Sequence, residues 1–260
     1  MTEKTTHMGQ HVKELVKKGK RLDGRAFDQY RDIVVETDVV KGADGSARVK
    51  FGETEILVGI KMELGTPYPD TPDEGALMVG AELLPLSNPK YESGPPGIDS
   101  IELARVVDRG IRESHAIDTA KLCITPGEKV WLACIDITPI NSDGNLFDAS
   151  ALGAIAALKT AVFPKLEDGK LSREKTTEPI PVLAEPVAVT VNKIEGQFIV
   201  DLQEDEEDAI DARLTATTLP DGTYCSLQKG GDSALTAAEI SHMLDIALEK
   251  AKELRKKIGG

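Results

Sequence analysis

Between residues 32 and 86 the chain runs through four apolar, strand-like stretches: DIVVETDVV (32–40), SARVKFG (46–52), TEILVGIKMEL (54–64) and ALMVGAELLPL (76–86). Gly42, Asp44-Gly45 and Gly52-Glu53 punctuate the first three as hairpin turns do. A chain that opens this way commits to a sheet early and then needs something apolar to cover it. Two helical stretches offer that cover. Over about 100–115, Leu103, Val107, Gly110 and Ile111 make one face, and Arg105, Arg109 and Arg112 fall on the other at i, i+4, i+7. Asp99 and Glu102 there have capping-box spacing. The second stretch, FDASALGAIAALKTAVF (about 147–163), is rich in alanine and glycine and can approach a neighbouring element closely.

The remaining chain fits around these. Residues 9–19 have helical spacing through Val12, Leu15 and Val16, RLDGR (21–25) is turn-rich, and KVWLACIDITPI (129–140) is a long apolar strand. PYPDTPDEG (67–75) and SNPKYESGPPG (87–97) are loops, because proline and glycine deny them regular pairing. Residues 164–186 read as an exposed connection. Strands follow around Glu195-Gly196, then a hairpin about Asp221-Gly222, then an amphipathic helix over 236–258. The expected class is α+β. An N-terminal helix and turn (1–30) precede two related strand-then-helix halves (31–163 and 187–260), joined by the connection at 164–186.

Composition narrows the function. Acids outnumber bases, 44 to 31, for a net charge of −13, which argues against non-specific coating of DNA. The charge is polarised: residues 11–25 carry a net +4, residues 201–213 a net −6. Runs of this kind are usually solvated surface, so the basic cluster is expected to be a solvated helix end and 204–211 a surface turn between strands. No apolar stretch approaches membrane-spanning length, and the first residues lack the apolar core of a secretory signal, so a cytoplasmic protein is expected. Cys123, Cys134 and Cys225 are widely spaced and read as reduced. With no CxxC or HExxH and four scattered histidines, neither a metal site nor a cofactor site is expected.

Resemblance then becomes specific. RLDGR (21–25), DGSARVKFGETEILVGIK (44–61), ELLPL (82–86), GPPGIDSIELARVVDRGIRES (94–114), GNLFDASALGAIAAL (144–158) and IVDLQEDEEDAIDARLT (199–215) together resemble the RNase PH family. Within it they are most similar to the non-catalytic ring subunits of the archaeal exosome. The resemblance implies two ribosomal-S5-domain-2-like halves with mixed sheets and packed helices. It implies a hexameric ring in which this chain alternates with a catalytic RNase PH-like subunit, under RNA-binding cap proteins. Such a ring threads single-stranded RNA and shortens it from the 3′ end with inorganic phosphate. The strand ladders at 46–62 and 214–228 are candidate edges for the neighbours.

Phosphorolysis needs cationic and amide donors on the attacking phosphate and an acidic group at the leaving oxygen. The resemblance implies that active members bind phosphate with an Asp/Asn-Gly/Ala-Gly-Thr/Ser-Arg loop. This chain has Asp143-Gly144-Asn145-Leu146-Phe147 there, so its arginine position is a phenylalanine. Active members also carry two acids six residues apart. Counted from Asp201-Leu202, those places are Glu207 and Arg213, and a guanidinium is neither a general acid nor a metal ligand. The arginine pair that active exosome subunits carry before the first long helix is Ile98-Asp99 here. No catalytic residue is therefore expected. The alternative is an active phosphate-dependent exoribonuclease using Asp205 and Asp211, which are also six apart; a third possibility is an unrelated α+β domain. The resemblance assigns RNA contact to Arg105 and Arg109, with Arg112 beside them, against a solvated face paired to Asp108 and Glu113. Trp131 and Phe147 are expected in the core or at a subunit interface.

Overall fold

The computed structural model describes residues 7–167 and 170–258. A helix α1 (His7–Lys17) is followed by β1 (Ile33–Thr37), β2 (Gly45–Phe51), β3 (Thr54–Gly65) and β4 (Ala76–Ala81). Then come α2 (Ile98–Glu113), β5 (Cys123–Thr125), β6 (Lys129–Asn141) and α3 (Leu146–Thr160). A hairpin, β7 (Val162–Glu167) and β8 (Lys170–Pro179), leads to β9 (Val187–Ile194) and β10 (Gln197–Val200). The chain continues through a single turn of helix α4 (Glu204–Glu207), β11 (Ala212–Thr218), β12 (Tyr224–Gly230) and α5 (Ala237–Ile258). The first sheet has the order β1-β2-β3-β6-β4 with β5 on β6, and is antiparallel except for β4 on β6. The second is an antiparallel sheet of order β10-β9-β11-β12. This is the expected α+β arrangement, with one mixed sheet, one antiparallel sheet and packed helices.

Helix α3 explains why the two sheets form one body. All its residues from Asp148 to Leu158 are buried, because it packs against β2 and β3 on one side and β9 on the other. Only small side chains permit that approach: a Cβ on Gly153 would come within 2.9 Å of the Val58 methyl. One hydrophobic cluster accordingly runs from Val49 and Ile60 through Ile155 and Leu158 to Val189 and Met243. A smaller cluster (Val12, Val16, Ile199, Leu202, Ala209) seats α1 on the far side.

Four expectations need correction. The ladder at 46–62 is not an edge: β1 pairs with β2 and β6 with β3, so among the described residues the first sheet is open at β1 on one side and at β4 and β5 on the other, and the second at β10 and β12. Only the β12 part of 214–228 is open. The connection at 164–186 contains the β7–β8 hairpin. The capping box is not at Asp99 and Glu102. Helix α2 starts from Gly97 with no side-chain cap, which puts Asp99 already inside the first turn, and the box forms on α4 between Gln203 and Glu206. Finally, 204–211 is not a plain solvated turn, since the Glu206 side chain is buried. Among the described residues no helix is long and apolar enough to cross a membrane.

Candidate functional site

The Asp143–Phe147 loop leads from β6 into α3 and is held by a buried polar hub. Asp201, fully buried and at positive φ, accepts from Arg31 Nη2 at 2.8 Å, from the Arg31 backbone N–H at 2.7 Å, from Arg25 Nη1 at 2.8 Å and from Asn145 Nδ2 at 2.9 Å. Burial alone raises its carboxyl, but the Arg31 hydrogen bonds and charge outweigh this and hold it below the ordinary carboxylate range. Arg31 also donates to Asp143 Oδ2 at 3.0 Å and so ties the loop to the same hub. RLDGR supplies the rest. Arg21 pairs with Glu206 at 2.6 Å, with side-chain exposures of 0% and 1%. The turn-rich motif is thus a buried tie between the N-terminal segment and α4.

Asn145 sits at φ +55°, where the family pattern has glycine. Asparagine tolerates this left-handed geometry, and its side-chain amide is used as well: it donates to Asp201 and lies 3.4 Å from Asp148. Asp148 is completely buried and accepts from Tyr30 OH and the Thr190 N–H, both at 2.8 Å. Burial raises its carboxyl, those donors lower it, the Asp201 charge raises it again, and the result is about 7. The folded chain therefore keeps this proton up to about pH 7, while the unfolded chain releases it near 3.8. Between those values the folded state binds more protons, so this group adds stability as pH falls from 7 towards 4 and withdraws it as pH rises. Asp148→Asn is expected to flatten the difference in urea midpoint between about pH 5.5 and 7.5. A variant that kept the wild-type difference would place that dependence on other groups.

At the start of α3, where a phosphate would be received, the chain presents its own groups. The Asn145 N–H donates to Glu207 Oε1 at 2.9 Å. Burial raises the Glu207 carboxyl; the Asn145 N–H and the Lys90 and Arg213 charges offset this only in part. The Phe147 ring lies 4.2 Å from the Arg213 guanidinium, and Arg213 Nη2 pairs with Glu102 on α2 at 2.7 Å. Around them is a cavity of about 220 Å³ that Lys90, Tyr91, Asp99 and Glu102 also line. The two positions where the family pattern has arginine and aspartate thus carry a stacked ring and cation. Asp205 and Asp211 do not join this cavity: Asp205 is exposed, and Asp211 accepts from Lys13 Nζ and the Glu195 N–H, both at 2.7 Å.

The α2 arginines divide. Arg112 donates to Asp108 at 2.6 and 3.0 Å and to the Leu77 carbonyl, so Asp108 is its partner and Glu113 is not. Arg105 and Arg109 are exposed and have no hydrogen bond or ion pair among the described residues. Arg105 lines a second, largely apolar cavity of about 280 Å³ with Val79, Ile101 and Asp108. The basic N-terminal cluster is largely spent on carboxylates: Lys13 on Asp211, Lys17 on Glu14, Arg21 on Glu206 and Arg25 on Asp23. Trp131 is a core residue and Phe147 packs against the core. Sequence reasoning missed Arg31 and the buried roles of Arg21 and Asp201, and it gave Glu102 a capping role rather than its pairing with Arg213; the density of charge in RLDGR was an advance signal for Arg21 and Arg25 alone.

The fold and this altered loop belong to a recognisable class. The chain matches the 3′ exoribonuclease family in two segments, its domain 1 over residues 29–164 and its domain 2 over residues 184–250. The protein therefore belongs to the RNase PH, or 3′ exoribonuclease, family. It is 48% identical over 245 residues to the exosome complex component Rrp42 of Methanosarcina acetivorans, covering 94% of this chain and 91% of that one. It is 46% identical over 255 residues to the Rrp42 component of Thermococcus kodakarensis, covering 96% and 94%. Among solved structures it is similar to a chain of the Archaeoglobus fulgidus exosome with RNA bound to the active site, with a TM-score of 0.90 at 44% identity, covering 96% of this chain and 97% of that one.

Proposed function

We propose that this chain is a non-catalytic subunit of an exosome ring, alternating with a catalytic RNase PH-like subunit and contacting single-stranded RNA that the partner degrades from the 3′ end by phosphorolysis. The observation that carries this is the closed loop: Phe147 stacked under Arg213, with the Asn145 N–H taken by Glu207, where phosphate would need a guanidinium and free donors. The exosome membership of the relatives supports the assembly. Residues 31–163 and 187–260 act as the two halves of one ring subunit, cap proteins dock on the ring to bring RNA, and the complex works in the cytoplasm. Arg105 and Arg109 supply the phosphate contacts, and Arg112 contributes less because Asp108 holds it. Exposed Met78 on the β4 edge and exposed Ile98 and Ile101 on α2 give the catalytic neighbour an apolar surface to cover.

The test is enzymatic. Incubated alone with labelled single-stranded RNA and phosphate, the chain is expected to release no nucleoside diphosphate. Mixed with its catalytic partner it is expected to co-elute with it on size exclusion and to be present in a complex that does. Diphosphate release by the chain alone, or separate elution of the two proteins, would overturn the proposal.

A further inference from the structure

Arg213 is held on three sides. Glu102 Oε1 lies 2.7 Å from its Nη2, the Phe147 ring covers one face of the guanidinium at 4.2 Å, and Gly230, its register partner on β12, leaves room for it. A Cβ on Gly230 would come within 2.6 Å of Arg213 Cζ, so a larger residue there would shift the guanidinium from its present place. The side chain is 13% exposed, whereas Glu102 is 35% exposed. The cation is thus the more buried partner, and the carboxylate comes to it from α2.

Where Glu102 would otherwise turn matters for RNA. Arg105 and Arg109 follow it at i+3 and i+7 on the same side of α2. An i, i+3 carboxylate and guanidinium on a helix surface are within pairing reach. Arg105 has no partner among the described residues, and Glu102 points to Arg213. We propose that Arg213 is a positioning residue for RNA binding: it sequesters the Glu102 carboxylate, and so keeps Arg105 unpaired and removes a negative charge that would repel the phosphate backbone. This rests on the RNA-contacting function proposed above. It gives the cation at position 213 work to do in a place where active relatives carry an acid.

The test uses the assembled ring and a labelled single-stranded RNA. Arg213→Met is expected to weaken RNA binding about two- to threefold, by restoring the Glu102–Arg105 pair and leaving the Glu102 charge uncompensated beside the phosphates. Adding Glu102→Gln to that variant is expected to bring affinity back to the wild-type value, which lost packing alone would not allow. In an Arg105→Ala plus Arg109→Ala background, Arg213→Met is expected to cost less than it does in the wild-type ring, because only the repulsion by the freed Glu102 carboxylate remains. Unchanged affinity in Arg213→Met overturns the proposal, and so does a loss that Glu102→Gln fails to rescue in an intact ring. If Arg213→Met does not assemble, the Glu102→Gln ring decides: affinity at or above wild type supports sequestration, and weaker binding overturns it. Wild-type affinity in the Arg105→Ala plus Arg109→Ala ring would instead overturn the RNA-contacting function itself.

Discussion

Arg21→Met is expected to cost about 3–5 kcal/mol of folding stability, the usual cost of leaving one partner of a buried ion pair unpaired. The Glu206 carboxylate would be left inside the protein without its guanidinium, since both side chains are essentially inaccessible to water. The Val200 and Asp201 carbonyls, which Arg21 reaches at 3.1 and 2.7 Å, would lose a donor as well. The measurement is the urea midpoint at constant m-value. Replacing both partners, Arg21→Met with Glu206→Leu, is expected to recover a substantial part of the loss, because no uncompensated charge then remains. An Arg21→Met chain with the wild-type midpoint would show that RLDGR is not the tie between the N-terminal segment and α4.

The largest functional effect is expected at α2. In the assembled ring, Arg105→Ala plus Arg109→Ala is expected to lower affinity for single-stranded RNA by about tenfold or more near 0.1 M salt. The log–log salt dependence should become shallower by about 1.4, at roughly 0.7 per phosphate contact on a single strand. Poly(A) and poly(U) should lose equally, because phosphate contacts carry no base information. Arg112→Ala serves as the comparison. Its guanidinium is already satisfied by Asp108 and Leu77, so its loss should change affinity by less than about twofold. An unchanged salt slope in the double variant would remove Arg105 and Arg109 from the RNA-contacting surface.

Much of this architecture was legible in the chain. The α2 face of Leu103, Val107 and Ile111 and the opening strands are governed by side-chain periodicity and turn chemistry over a few residues, which sequence displays directly. The small residues of α3 forecast its close packing for the same reason. The misplaced features were those in which neighbours in space compete with neighbours in sequence. Asp99 and Glu102 have capping-box spacing, but Gly97 starts the helix and Arg213 attracts Glu102. The ladder at 46–62 reads as two strands whether or not it lies at an edge, and only the pairing of β1 and β6 buries both of its sides. The acids of 204–211 look solvated in sequence, yet Glu206 and Glu207 turn inward because Arg21 and the Asn145 N–H await them.

By itself, then, the amino-acid order determined the family, the succession of strands and helices, and the exchange of an arginine for Phe147 and of an acid for Arg213. Only the tertiary structure decided that these two replacements touch each other, that Glu207 fills the start of α3, and that one arginine of α2 is paired while two have no partner among the described residues. Local propensity acts over a turn or two of backbone. The partners of a buried charge at Asp201 or Arg213 lie tens to nearly two hundred residues away along the chain, and they meet only after the sheets have closed around α3 and excluded the water that would otherwise solvate them.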